Sequence, residues 1–206
     1  MIETTYVIIG FTALTSLLAW SSPKMMQNWI FSPYQIAKKN QWYRFITSGF
    51  IHQDYLHLIF NMVSLYFLGL FAELGFAQKF GEMYQAYFLF FYISAMVVAD
   101  IPVFFKHKNN MYYRALGASG AVSAVIFAAI LLEPNISLMV FPIPFRIPGV
   151  VYAVLYVLYS AYMSRNSQDN IGHDAHLYGA LYGVVFIAVL VPDTIQKVIQ
   201  AVQNLL

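Results

Sequence analysis

The sequence predicts an all-α membrane protein, a bundle of six transmembrane helices whose first loop lies in the membrane interface. Three observations carry that expectation. Of 206 residues, 60% are hydrophobic, 18% aromatic and only 10% charged, whereas soluble domains carry about 25% charged residues. A water-soluble fold of this size has too much surface for its volume to hide so much apolar area. Six apolar runs approach the roughly 20 residues a helix needs to cross the hydrocarbon core, and the Lys and Arg residues fall mostly between them.

The runs lie near residues 4–20, 51–72, 84–105, 115–133, 148–163 and 171–191, the first and fifth being the shortest. Before the first, Glu3 is the only charge, and no small-residue cleavage site follows, so it reads as a membrane helix and not as a cleavable signal. Residues 21–50 scatter Trp29, Phe31, Tyr34, Trp42, Tyr43 and Phe45 among polar groups, and such rings favour the headgroup zone. Residues 106–114 and 164–170 are polar enough to lie in water. Pro134 to Pro148 is too rich in proline for a continuous helix. After Pro192, the tail 193–206 repeats Ile195, Val198, Ile199 and Val202 at helical spacing, the pattern of a helix lying on the membrane surface. No internal repeat or separate soluble segment is evident, so residues 1–206 read as one domain.

Composition also narrows the partners. A net charge of +2 without a clustered basic face argues against nucleic acid. The absence of cysteine excludes disulfides, thiol nucleophiles and Cys-ligated metals. The lipid bilayer is the expected surrounding, and no metal or cofactor is expected.

Ionisable and polar groups inside membrane helices are costly, and each is a functional candidate. They gather at three places. The second run opens with His52, Gln53 and Asp54, then His57 and Asn61; the fourth with Gly117, Ala118, Ser119 and Gly120; the sixth with His173, Asp174 and His176, then Gly179. Each set begins a helix that follows an odd-numbered loop, so helix parity alone places all three on one face of the membrane. A serine hydroxyl is a weak nucleophile until a base takes its proton, and His176 is a suitable base, an imidazole being able to exchange protons near neutral pH. Gly117 and Gly120 leave room for a substrate backbone beside Ser119. Asp174 stands two residues from His176, about 200° around a helix, so the pattern favours a Ser119–His176 dyad over a triad. Gly120, Ala124 and Ala128 form a small-residue stripe on the fourth helix, and Ala175, Gly179 and Gly183 form one on the sixth. Such stripes let membrane helices approach closely. His57 and Asn61, four residues apart, share a face and could donate hydrogen bonds to an oxyanion with the Ser119 N–H. A plainer reading makes the same two residues interhelical glue, worth about 0.6–2 kcal/mol. Asp54 and Asp174 read as helix caps, His173 and His107 as interfacial histidines. Asp100, just before Ile101-Pro102, could be structural or gating.

These residues resemble the rhomboid family of intramembrane serine proteases. The matching pieces are Trp42-Tyr43-Arg44, the set His52, His57 and Asn61, the run Gly117 to Ser119-Gly120, and Ala175-His176 with Gly179. In order and spacing, with six helices, they span most of the chain. The resemblance implies a serine endopeptidase that cleaves transmembrane segments of membrane-protein substrates through an acyl-enzyme. It implies Ser119 as nucleophile, His176 as general base, His57 and Asn61 as oxyanion stabilisers with His52 in the same polar cluster, and Arg44 and Glu73 as structural residues. Ser123 is a departure, because well-studied members carry there a tyrosine stacked on the catalytic histidine; another group, such as an aromatic from a neighbouring helix, must orient His176. A tyrosine-rich fifth helix, with Tyr152, Tyr156 and Tyr159, reads as a mobile gate for substrate.

Two other classes fit parts of the pattern. A non-catalytic rhomboid-like protein would bind membrane helices without cutting them, but such relatives typically lack the serine or the histidine. A haem or metal carrier could use His52, His57, His173 and His176, but would leave Gly117 to Gly120 without a role. Orientation is contested. Lys24, Lys38, Lys39, Arg44, Lys106, Lys108, Arg114 and Arg165 lie on the odd-loop side, against Lys79, Arg146 and Lys197 on the other, so the positive-inside rule puts the odd loops in the cytoplasm. The resemblance implies the reverse, with cytoplasmic termini in a prokaryotic plasma membrane, and that is the expectation adopted.

Overall fold

The computed structural model describes residues 3–140, 144–166 and 171–205. Its helices are α1 (Thr4–Ser21), α2 (Pro23–Trp29), α3 (Pro33–Lys39), α4 (Arg44–Thr47), α5 (Tyr55–Ser64), α6 (Leu70–Phe80), α7 (Tyr84–His107), α8 (Ser119–Leu132), α9 (Gly149–Asn166), α10 (His173–Leu190) and α11 (Asp193–Gln203). A π-helical turn, Leu65–Gly69, joins α5 to α6 without a break. Three stretches among the described residues are long and apolar enough to cross a membrane: Thr4–Ser21, Tyr55–His107 and His173–Leu190. The middle one reverses at Gly81, whose φ of 55° is a left-handed turn that glycine adopts without strain.

The molecule is apolar outside and partly polar inside. Val7, Phe11 and Leu14 of α1, Leu56, Ile59 and Val63 of α5, and Val185 and Val189 of α10 are exposed, while Thr5, Thr12, Ser16, His52 and Glu73 are buried. A soluble fold would invert that pattern; lipid selects it, and buried polar groups then turn to partners inside the protein. Glu73 shows how. From the first turn of α6, it accepts hydrogen bonds from the Thr4 N–H (2.7 Å), the Thr5 N–H (2.9 Å) and the Thr5 hydroxyl (2.7 Å), capping the N-terminus of α1 with a carboxylate where the helix dipole favours one.

The bundle centres on α8. Every residue from Gly120 to Leu131 is buried, as expected of a helix that is apolar all round. The small-residue stripes of α8 and α10 lie against each other. A Cβ at Gly179 would strike the Gly120 carbonyl, with Gly120 Cα at 3.1 Å, and one at Gly183 would strike the Ala124 carbonyl, with Ala124 Cα at 2.9 Å. Only glycine permits that approach.

Several boundaries differ from the sequence reading. The second and fourth runs begin as helix only at Tyr55 and Ser119, because residues 51–54 and 115–118 are held in non-helical form by tertiary hydrogen bonds. The first loop is built of short helices: α2 and α3 each have a proline in the first turn and a serine cap, Ser22 and Ser32, accepting from Met25 and Gln35 N–H. The all-α expectation also missed an antiparallel pair, β1 (Ser137–Met139) with β2 (Arg146–Pro148), in which Leu138 faces Ile147. Proline stops the helix there, and the backbone groups pair across a hairpin instead. Residues 141–143 of that segment, 167–170 of the polar 164–170 segment and 206 of the tail fall outside the described residues.

Candidate active site

Ser119 is the first residue of α8, and three backbone contacts fix the segment that delivers it. Ala115 and Phe31 exchange N–H···O bonds of 2.9 and 3.1 Å, the Gly117 N–H donates to Ser48 O (2.9 Å), and the Ala118 N–H donates to His52 Nε2 (3.3 Å). The last contact sets a tautomer: Nε2 accepts, so Nδ1 carries the proton and donates to Ser16 Oγ at 3.1 Å. His52 is fully buried. Its ring lies edge-on to that of His57, 4.9 Å between centroids, so the two share one cluster; His52 is absent from the cavity lining and props the backbone one residue before Ser119. Its own carbonyl accepts from Trp20 Nε1 (2.8 Å), and the carbonyl of Phe50 accepts from the Thr15 hydroxyl (2.6 Å). Sequence reasoning passed over Ser16, Thr15 and Trp20. The available signal was the spacing of Thr5, Thr12 and Ser16, a polar face on an otherwise apolar helix.

Arg44 anchors the first loop below this segment. Its guanidinium donates to the carbonyls of Gln27 (2.9 Å) and Ile30 (2.7 Å) and to Gln41 Oε1 (2.7 Å), and the Thr47 hydroxyl donates to Trp29 O (3.0 Å). Carbonyls at the end of α2, unpaired by their own helix, are thereby satisfied.

A cavity of about 1190 Å³ opens above α8. Its lining includes Ser119 and His176, with Gln53, Asp54, His57, Asn61, Asp100, Ser123, Tyr152 and Tyr156. Ser119 and His176 therefore face one space, one residue before Gly120 and three before Gly179. His57 and Asn61 do share a face of α5; the Asn61 side-chain amide donates to His57 O at 2.9 Å. Asp54 caps α5 by accepting from the His57 N–H (2.8 Å). Gly117 has φ +114°, and a Cβ there would lie 2.5 Å from His57 Cε1 and 2.7 Å from Nε2. The glycine is what lets the imidazole lie against the loop. At the cavity edge, burial pushes the Tyr113 hydroxyl up to about 12, helped by the carboxylates of Asp100 and Asp174, so Tyr113 stays neutral.

Around His176, the ring of Tyr156 from α9 lies 6.4 Å away, centroid to centroid, and that of His173 lies 6.0 Å away. Where the resemblance expects a tyrosine, Ser123 donates to Ser119 O (2.8 Å) and meets the Tyr156 hydroxyl at 2.5 Å. His173 is buried, edge-on to Tyr159; His107 stacks on Tyr113 at 3.8 Å. Asp174 does not cap α10. It pairs with Lys106 Nζ (2.7 Å) on α7 and accepts from the Ser164 hydroxyl on α9, tying three helices together. Among the described residues, no group of three or more His, Cys, Asp or Glu side chains is placed to hold a metal ion.

Such an arrangement defines a membrane-helix bundle with a serine and a histidine lining one cavity, beside a segment braced by the first loop. The chain belongs to the rhomboid family: the family model for the Rhomboid domain matches residues 39–193. It is 30% identical over 172 residues to a RHOMBOID-like protein 12, mitochondrial, of Arabidopsis thaliana, covering 78% of this chain and 50% of that relative. The chain thus spans about half the length of the curated relative it matches. That relative's name places it in mitochondria, so it lends no support to the expected prokaryotic plasma membrane; membership in the family and the apolar helices support an integral membrane protein.

Proposed function

We propose that this protein is an intramembrane serine protease in which Ser119 and His176 form the catalytic dyad. The observation that carries the reading is that both residues line one cavity beside the α8–α10 crossing. Ser119 Oγ attacks the carbonyl carbon of the scissile peptide while His176 takes the hydroxyl proton. The carbonyl oxygen becomes an oxyanion, met by the Ser119 N–H, by His57 and by the Asn61 amide, each such donor being worth about 10²–10³ in rate. The tetrahedral species expels the amine, which takes the proton from His176 and leaves an acyl ester on Ser119. Water then attacks the ester as His176 accepts its proton, and the collapse returns that proton to Ser119. No metal or cofactor enters these steps.

Six crossings are the proposed topology: α1, the α5–α6 rod, α7, α8, α9 and α10. Fourteen residues of α8 rise about 21 Å, short of the roughly 30 Å of hydrocarbon. A helix that starts below the surface leaves the non-helical 115–118 segment at membrane depth, which is tolerated where protein and water enclose it. Water for hydrolysis reaches Ser119 through that cavity, and a substrate helix enters sideways past α9. The substrates are transmembrane segments of other proteins. Cytoplasmic termini are proposed with the site on the opposite face.

Labelling of detergent-purified protein with a fluorophosphonate serine probe tests the dyad. Wild type is expected to label, and Ser119→Ala and His176→Ala to lose the label while remaining folded. A folded wild type that takes none would move the reading to a membrane-helix binding protein without hydrolytic activity.

A further inference from the structure

Tyr156 reaches both halves of the proposed dyad from a third helix. Its ring lies against that of His176, tilted by 31° at 6.4 Å, within the separation at which aromatic rings attract. Its hydroxyl lies 2.5 Å from Ser123 Oγ, which lies 2.8 Å from Ser119 O. A carbonyl oxygen only accepts, so the Ser123 hydroxyl donates to Ser119 O, and the Tyr156 hydroxyl donates to Ser123 Oγ. The donors run in one direction and end on the backbone of Ser119. Phe127 and Tyr152, each 5.6 Å from the Tyr156 ring, hold the phenol from α8 and from its own helix. A serine inside a helix can satisfy itself on the carbonyl four residues back. The half-buried phenol of Tyr156 also meets Ser160, one turn along its own helix; its bond to Ser123 is the one that crosses to α8, on the residue one turn after Ser119.

We infer that Tyr156 is a positioning residue for the dyad, holding the His176 ring toward Ser119 and, through Ser123, tying α9 to the first turn of α8. The inference rests on the hydrolase reading above. It has a consequence for the order of events, because α9 is the helix proposed to move for substrate entry. Displacing α9 breaks the Tyr156–Ser123 bond and withdraws the ring from His176 together. The dyad is assembled only while α9 is seated, so a substrate must be enclosed before it is cut.

The test is saturation labelling with the fluorophosphonate probe, which is small and needs no transmembrane substrate. Tyr156→Leu removes ring and hydroxyl, and is expected to lower the inactivation rate constant kinact about 10-fold with the probe's half-saturation concentration unchanged. Tyr156→Phe and Ser123→Ala, which keep the packing, are each expected to lower kinact by the same smaller factor, and the double variant no further than either. A Tyr156→Leu protein that labels at the wild-type kinact overturns the inference. So do conservative variants whose effects multiply, and these decide the matter even if Tyr156→Leu fails to fold. A labelled wild type with unaffected variants leaves the hydrolase reading standing; an unlabelled wild type removes both.

Discussion

Gly117 has the least freedom to change of any residue in the loop before Ser119. Its φ of +114° strains any L side chain, and the space a Cβ needs is filled by the His57 ring. The loop backbone, the imidazole and the start of α8 therefore have to share one narrow arrangement. Gly117→Ala is expected to destabilise the protein by about 1–3 kcal/mol and to reduce fluorophosphonate labelling, since relief of the clash moves either His57 or Ser119. Thermal unfolding and labelling of the same detergent preparation check this; wild-type values in both would show that the loop relaxes without consequence. His52 belongs to the same scale. Its imidazole is spent on Ser16 and on the Ala118 N–H, which fixes the backbone one residue before Ser119.

At the scale of elements, α8 and α10 meet backbone to backbone, whereas α9 meets the bundle through side chains. Glycines at 179 and 183 bring α10 onto the carbonyls of α8, and such close contact supplies dispersion and weak hydrogen bonding in a solvent where the hydrophobic effect gives helices no reason to associate. On α9, Val154, Leu155, Leu158 and Tyr162 are exposed, and its inner face meets the cavity through Tyr152 and Tyr156. Its far end is held by Ser164 on Asp174, which Lys106 also engages. With α9 as the gate, a covalent link between α5 and α9 is expected to abolish cleavage of a transmembrane substrate while leaving labelling by the small probe. The chain has no cysteine, so one introduced in each helix suffices for a thiol cross-link. Undiminished cleavage by the linked protein would exclude lateral entry between these helices.

For the whole molecule, orientation is the open physical contest. Eight basic residues on the odd-loop side outnumber three on the other in the sequence, but several are engaged: Arg44 is buried on carbonyls and Arg114 donates to the carbonyls of Met111 and Tyr113, while Lys106 pairs with Asp174. On the other side Lys79 reaches Asp193 at 2.9 Å, fastening α11 to α6 and holding the Asp193 carboxyl below its usual range. Basic residues consumed by structure weigh less on topology than free ones near the membrane ends. Reporter fusions at the C-terminus and in the 106–114 loop are expected to place the first in the cytoplasm and the second outside. The opposite result would mean that the charge rule decides and that the cavity opens to the cytoplasm.

Much of this was legible along the chain, for reasons that differ from element to element. Apolar runs long enough for lipid announced α1, α7 and α10, and four-residue spacing of glycine and alanine announced which faces of α8 and α10 would meet, because in a membrane close approach depends on side-chain size alone. Ser119, His176, His57 and Asn61 stood out because polar groups are costly there. What the sequence by itself determined was therefore the solvent, the helices and the set of polar residues that had to converge. Only the tertiary structure decided how each is spent: His52 under the Ala118 N–H, Asp174 between Lys106 and Ser164, Tyr156 on Ser123. Hydrogen-bond partners separated by 10 to 69 residues leave no periodic trace in sequence, since which donor meets which acceptor depends on how helices rotate and cross once they have packed.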